Sequence, residues 1–289
     1  MRSVKSLLVA GAATLISSTA FAADMSSIAV PPPMYAPPAL AAPPGDFGGW
    51  YLRGDIGFTN QRVEKRQYYS YPNLLSLNES SEFSTGGNFG LGVGYKFNSW
   101  FRADITGQFR GNASFHGFDR TSYYDTGTVQ YGSDNYNAHI SSWVVLANAY
   151  VDLGTWWSIT PFIGGGVGVS RNTISGFSDL GANGTFAFGT SSGFASAVSA
   201  PKWDFAWALH TGLAYKVAPN VTFELGYSFV NLGDAVTGEL VRMDGVGAGL
   251  GHAMTFKNII SHDLTFGVRW DLDCPPVYAP PPPPLVTRG

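Results

Sequence analysis

The sequence predicts an all-β fold in which eight antiparallel strands close into an up-and-down barrel that crosses a membrane. Three observations carry this prediction. Segments of strict apolar/polar alternation recur along the chain, so each strand presents two chemically different faces. The connections between them are alternately short and long, the pattern of barrels with tight turns at one rim and large loops at the other. Finally, only 13% of the 289 residues are charged while 15% are aromatic and 36 are glycine. Soluble domains average about 25% charged, so a solvent other than water is expected to cover much of this surface. The net charge of −3 gives no electrostatic case for nucleic acid as a partner.

In chain order, Arg2 and Lys5 precede the apolar run Leu7 to Ile16, and Ala20-Phe21-Ala22 fits a signal-peptidase site. Residues 1–22 therefore read as a signal peptide cleaved before Ala23. The run is shorter than the ~20 residues of a spanning helix, and no later run approaches that length. Residues 23–47 are proline-rich, as are residues 273–289, and both read as extended tails outside the packed domain. Cys274, the single cysteine, has no internal disulfide partner and reads as a free thiol, with a link between two chains as the alternative.

The barrel is expected over 48–272. In the first strand Trp50, Leu52, Gly54, Ile56 and Phe58 alternate with Tyr51, Arg53, Asp55, Gly57 and Thr59. The second runs from Asn88 to Phe97, with Phe89, Leu91 and Val93 on one face and Gly90, Gly92 and Gly94 on the other. After the Asn98-Ser99 turn, Phe101, Ala103, Ile105 and Phe109 alternate with Arg102, Asp104, Thr106 and Gln108. The fourth strand sets Val145, Ala147, Ala149 and Val151 against Leu146, Asn148, Tyr150 and Asp152. Past the Gly154-Thr155 turn, Ile163, Val167 and Val169 oppose Gly164, Gly166 and Gly168. Phe205, Trp207, Leu209 and Leu213 form the sixth strand with Ala206, Ala208, His210 and Gly212. Beyond Pro219-Asn220, Phe223, Leu225 and Tyr227 oppose Thr222, Glu224 and Gly226. The last strand alternates Leu264, Phe266, Val268 and Trp270 with Asp263, Thr265, Gly267, Arg269 and Asp271. Four long connections remain, about 61–86, 112–137, 171–202 and 231–258, parts of which are expected to prolong the strands beyond the membrane.

Tryptophans sort with this topology. Trp50, Trp100, Trp156, Trp157 and Trp270 fall at the short-turn rim, and Trp143 and Trp203 nearer the long-loop rim, as interfacial girdles require. The apolar faces therefore meet lipid, because a one-residue slip would turn Arg53 into lipid at a cost of about 2–4 kcal/mol. The inner wall then carries Arg53, Asp55, Lys96, Arg102, Asp104, Asp152, Lys216, Glu224, Arg269 and Asp271. An eight-stranded barrel has room for side chains and little else, so these groups are expected to pair and close the lumen. The inward glycines leave space for the long side chains opposite them. Their GLGVG and GGGVGV runs are not nucleotide loops, since a strand and not a helix follows.

WYLRGDIGF, FGLGVGYKFNSWFRADI, ANAYVDLG, TPFIGGGVGVS and FELGYSFVNLGD resemble the small eight-stranded surface proteins of Gram-negative outer membranes. These include the opacity-protein, OmpX and OmpA-barrel relatives and the porin-like surface antigens. LTFGVRWDL resembles their terminal assembly strand, although here a proline-rich tail follows it. The resemblance implies a monomer in the bilayer beside lipopolysaccharide. Its implied role is envelope integrity or loop-mediated, adhesin-like binding of a host or environmental ligand. The proline-rich tails suit contact with peptidoglycan or periplasmic components. No cofactor, metal ligand set or catalytic group is expected.

A narrow channel for ions or small solutes is the first alternative. The second is lipid A hydrolysis, because His139-Ile140-Ser141 has the His-x-Ser spacing of lipid A-deacylating barrels. Such a pair needs a carboxylate to orient the histidine, and the next acidic residue is Asp152. His210 reads as a hydrogen-bonded lumen residue, and His116 and His252 as loop residues. In the first long connection, Arg62, Lys65 and Arg66 with Tyr68, Tyr69 and Tyr71 form a basic, tyrosine-rich surface suited to anionic sugars or proteins.

Overall fold

The computed structural model describes residues 48–67, 73–125, 127–185, 189–243 and 253–272. The expectations for the signal peptide, both proline-rich tails, Cys274, His252 and the tyrosines at 68, 69 and 71 fall outside them.

Eight strands form the ring: β1 (Gly49–Gln67), β3 (Gly86–Lys96), β4 (Phe101–Asp125), β5 (Thr128–Asp152), β6 (Ile159–Thr185), β8 (Ala200–Ala218), β9 (Val221–Asn231) and β12 (Thr255–Asp271). Each pairs antiparallel with the next, and β12 returns to β1 with Trp270 opposite Leu52 and Phe266 opposite Ile56. The closed, antiparallel, eight-stranded barrel predicted from alternation is the fold observed. Its sheet has no free edge within the barrel, so every strand there finds hydrogen-bond partners on both sides.

Three tight connections lie at one rim. In the first, the Asn98 side-chain oxygen accepts from the backbone N–H groups of Trp100 and Phe101 at 3.0 and 2.6 Å, which turns the chain within four residues. The second passes through Gly154 at φ 108°, a left-handed value suited to a residue without Cβ. The third is Pro219-Asn220.

The four external connections are long, and among the described residues they are mostly strand. β4 and β5 form one hairpin of two 25-residue strands. Four shorter strands join them: β2 (Leu74–Phe83) pairs with the outer half of β4, and β7 (Gly189–Ala197) with the outer half of β6. β11 (Leu240–Arg242) pairs with β7, and β10 (Ala235–Val236) with β12. The extensions form a crown above the barrel. Its interior holds an apolar core: Phe115, Ile140, Ile174, Phe177, Met254, Phe256 and Ile259 pack in one buried cluster that continues down to Val144, Leu146, Ala206 and Ala208. Burial of these side chains stabilises the crown as a folded layer and not as open loop.

Candidate functional site

The lower lumen is built around one carboxylate. β9 turns Glu224 inward, where it meets three arginines from three other strands. Arg269 Nη1 donates to Glu224 Oε1 at 2.7 Å, Arg102 Nη1 stands 3.3 Å from the same oxygen, and Arg53 Nη2 lies 3.7 Å from Oε2. Each arginine has a second anion. Arg53 Nη1 reaches Asp104 at 3.1 Å, Arg102 Nε reaches Asp152 at 3.3 Å, and Arg269 Nε lies 3.8 Å from Asp271. Asp55 stands 3.6 Å from Arg53 Nε. Rings complete the layer: the Tyr51 hydroxyl donates to Asp104 at 3.0 Å, Arg53 donates to the Tyr150 hydroxyl at 2.9 Å, and the Arg102 guanidinium lies over the Tyr150 ring at 4.3 Å. Charges this deep persist only when paired and hydrogen-bonded.

Glycines make the layer fit. A Cβ at Gly94 would overlap the Tyr51 ring, and one at Gly90 would approach an Asp55 oxygen to 2.6 Å. At Gly164 and Gly166 it would run into Tyr150 and Asn148. Small residues on β3 and β6 thus receive the long side chains of β1 and β5.

Eight of the ten inner-wall charges meet in this layer. The two lysines do not. Lys216 is exposed, Lys96 is half-buried, and among the described residues neither makes an ion pair. Both sit at the strand ends beside the short turns, where water reaches a flexible ammonium and screens it.

A second ionic layer lies further out and was not anticipated. Arg110 Nη2 pairs with Asp263 at 2.6 Å and its Nη1 donates to Ser261 at 3.1 Å. The alternation that points Arg102 and Asp104 inward carries on to Arg110, just as Arg269 and Asp271 share their face with Asp263, so parity contained the signal. Between the layers is a polar cavity of about 20 Å³ lined by Asp55, Gln108, Asn148, His210, Ser228 and Asp263, room for a single water. His210 bridges Ser228 at 2.8 Å and Asn148 at 3.1 Å. Beside these polar groups, Val144, Leu146, Ala208 and Val230 are also buried on the inward face, so the wall at this level is mixed, where the alternation argument made the inward face the polar one.

In the crown, Asp119 of β4 lies directly opposite Asp134 of β5, and Asp179 of β6 lies opposite Tyr136. The Tyr136 hydroxyl donates to Asp119 at 3.0 Å. Burial, with Asp179 and Asp119 close by, pushes the Asp134 carboxyl up to about 7. Burial and Asp119 push Asp179 up to about 6. Among the described residues no group of three or more His, Cys, Asp or Glu is arranged to hold a metal ion.

The proposed basic loop surface divides. Arg62 and Lys65 are exposed, but Arg66 is 5% exposed, lies 5.4 Å above the Tyr136 ring and donates to the Ser80 carbonyl at 3.3 Å. It is an interior residue of the crown. Asn258, with φ 51° and a hydrogen bond from its side chain to Glu64, marks where the inward face of β12 passes from Ile259 to Phe256, and Arg66 is the partner of Phe256. His139 contacts Ser114 at 3.3 Å, and His116 contacts Asn137 at 2.7 Å. Among the described residues no carboxylate meets His139. All seven girdle tryptophans are more than half exposed.

The family described as the outer membrane protein beta-barrel domain matches residues 33–270. An uncharacterized protein of Brucella abortus is 28% identical over 291 residues, covering 92% of this chain and 96% of that protein. A Rickettsia prowazekii protein provisionally named an adhesin is 29% identical and covers 77% of this chain and 87% of its own length. The crystal structure of Neisserial surface protein A is similar with a TM-score of 0.43 at 16% identity, covering 78% of this chain and 100% of that one.

Proposed function

The chain belongs to the outer membrane protein beta-barrel family, and on that premise we propose that it is a closed barrel whose work is done by the crown, as a rigid external surface for adhesin-like binding. One observation carries the reading: the strands continue beyond the lipid-facing belt into a crown with its own apolar core, set above two ionic layers. A pore has no use for an apolar core across its path. A binding protein gains from it, because rigid elements hold contact residues in place at lower entropic cost than loops. The adhesin name of the Rickettsia relative supports the same reading. Among the described residues no carboxylate orients His139 or Ser141, which favours binding over catalysis.

The test is to display the native chain on a non-adherent Gram-negative host, beside a variant whose β4–β5 hairpin is shortened above Ala113 and Ile140. Retention is then measured on surfaces coated with mucin, collagen or a sulfated polysaccharide. Native retention on at least one surface, lost in the shortened variant with the barrel still folded, is the expected result. Equal retention of both would overturn the reading.

A further inference from the structure

We propose that Arg171, between Trp143 and Trp203, is a binding site for the phosphate of a bilayer lipid headgroup at the outer edge of the lipid-facing belt. Ser170 and Asn172 are fully buried and point inward, so Arg171 points outward. Its direct partner on β5 is Trp143 and its direct partner on β8 is Trp203. Phe109 continues the row on β4, with its ring 4.9 Å from that of Trp143. The row therefore reads Phe–Trp–Arg–Trp across four adjacent strands.

What lies around the row identifies the occupant. Toward the barrel, the outward neighbours are Val145, Val169 and Phe205, all exposed and all apolar. Toward the crown they are Ser141, Thr173 and Pro201, none of them acidic. Among the described residues Arg171 has no ion pair and no hydrogen bond. Among the described residues a permanent cation thus stands without a counter-charge, at the level where tryptophan side chains mark the change from acyl chains to headgroups. A guanidinium presents a planar fork that matches phosphate with two parallel hydrogen bonds. The apolar wall directly beneath suits the acyl chains of the same molecule, which free phosphate cannot use. The chemistry is that of an anionic phospholipid or a phosphorylated glycolipid.

The test uses the refolded full chain in phosphatidylcholine nanodiscs doped with phosphatidylglycerol or with lipid A, with retained lipid counted by native mass spectrometry after mild delipidation. The native chain is expected to retain one phosphate-bearing lipid in preference to phosphatidylcholine. Arg171→Gln should weaken that retention about tenfold, and Arg171→Lys, with a charge but no fork, should fall between. Arg120→Gln, which removes the same charge from the outer crown, should match the native chain. Trp143→Leu with Trp203→Leu provides an independent reduction should Arg171→Gln fail to fold. Equal retention in native and Arg171→Gln would overturn the proposal, as would displacement of the lipid by millimolar inorganic phosphate.

Discussion

Glu224→Gln removes the charge on which the lower lumen converges. Three guanidinium groups face this carboxylate, at 2.7, 3.3 and 3.7 Å. At such separations and an effective dielectric near 20, each pair is worth about 4 kcal/mol, or ~12 kcal/mol gross for the three. Much of that does not appear in the net. Glutamine carries no desolvation cost for a carboxylate and keeps an oxygen for Arg269, and each arginine retains a second anion in Asp104, Asp152 or Asp271. Removing one partner of a buried pair typically leaves a loss of about 3–5 kcal/mol, and that is the expected result. Urea unfolding in phospholipid vesicles, followed by tryptophan fluorescence, measures it. A loss below about 1 kcal/mol would refute the reasoning, because it would mean that the arginines are held by their outer partners alone.

Other substitutions test the remaining layers. Asp134 sits well above the ordinary carboxylate value of 3.8, at about 7, so its protonated form is the one the crown favours. Crown stability should be greatest in acid and should fall as pH rises through about 7. Asp134→Asn should flatten that profile, read as hydrogen exchange of crown amides corrected for the intrinsic pH dependence. Phe256 is fully buried and meets Phe115 edge-on at 5.0 Å. Phe256→Ala should cost about 3–5 kcal/mol and open the crown to protease while the barrel stays intact. A Cβ at Gly168 would overlap the Val145 carbonyl, whereas one at Gly107 meets open space. Gly168→Ala should therefore depress refolding yield and Gly107→Ala should not.

Much of this molecule was legible in its alternation. The slip argument at Arg53 fixed which face of β1 is inside, and through antiparallel register it placed Asp104, Asp152, Glu224 and Arg269 on one wall. Arg110 lay on the same face as Gln108, two residues beyond it, and Asp263 already stood among the inward residues of the last strand. The crown was harder to read. Phe115, Ile140, Phe177 and Phe256 come from connections far apart in sequence, and polar or glycine residues such as Gly117, Asn172 and Gly132 share their inward face. No local period reveals that they meet. Arg66 shows the same limit: the change of inward face near Asn258, on another strand, puts it inside, and nothing in its own neighbourhood signals that.

The closed lumen is the central claim, and single-channel conductance of the refolded chain in a planar bilayer tests it most directly. With folding verified, the ionic layers at Glu224 and Arg110 and the apolar cluster of the crown predict a silent protein. Steady, reproducible conductance steps would contradict the account and make the barrel a channel.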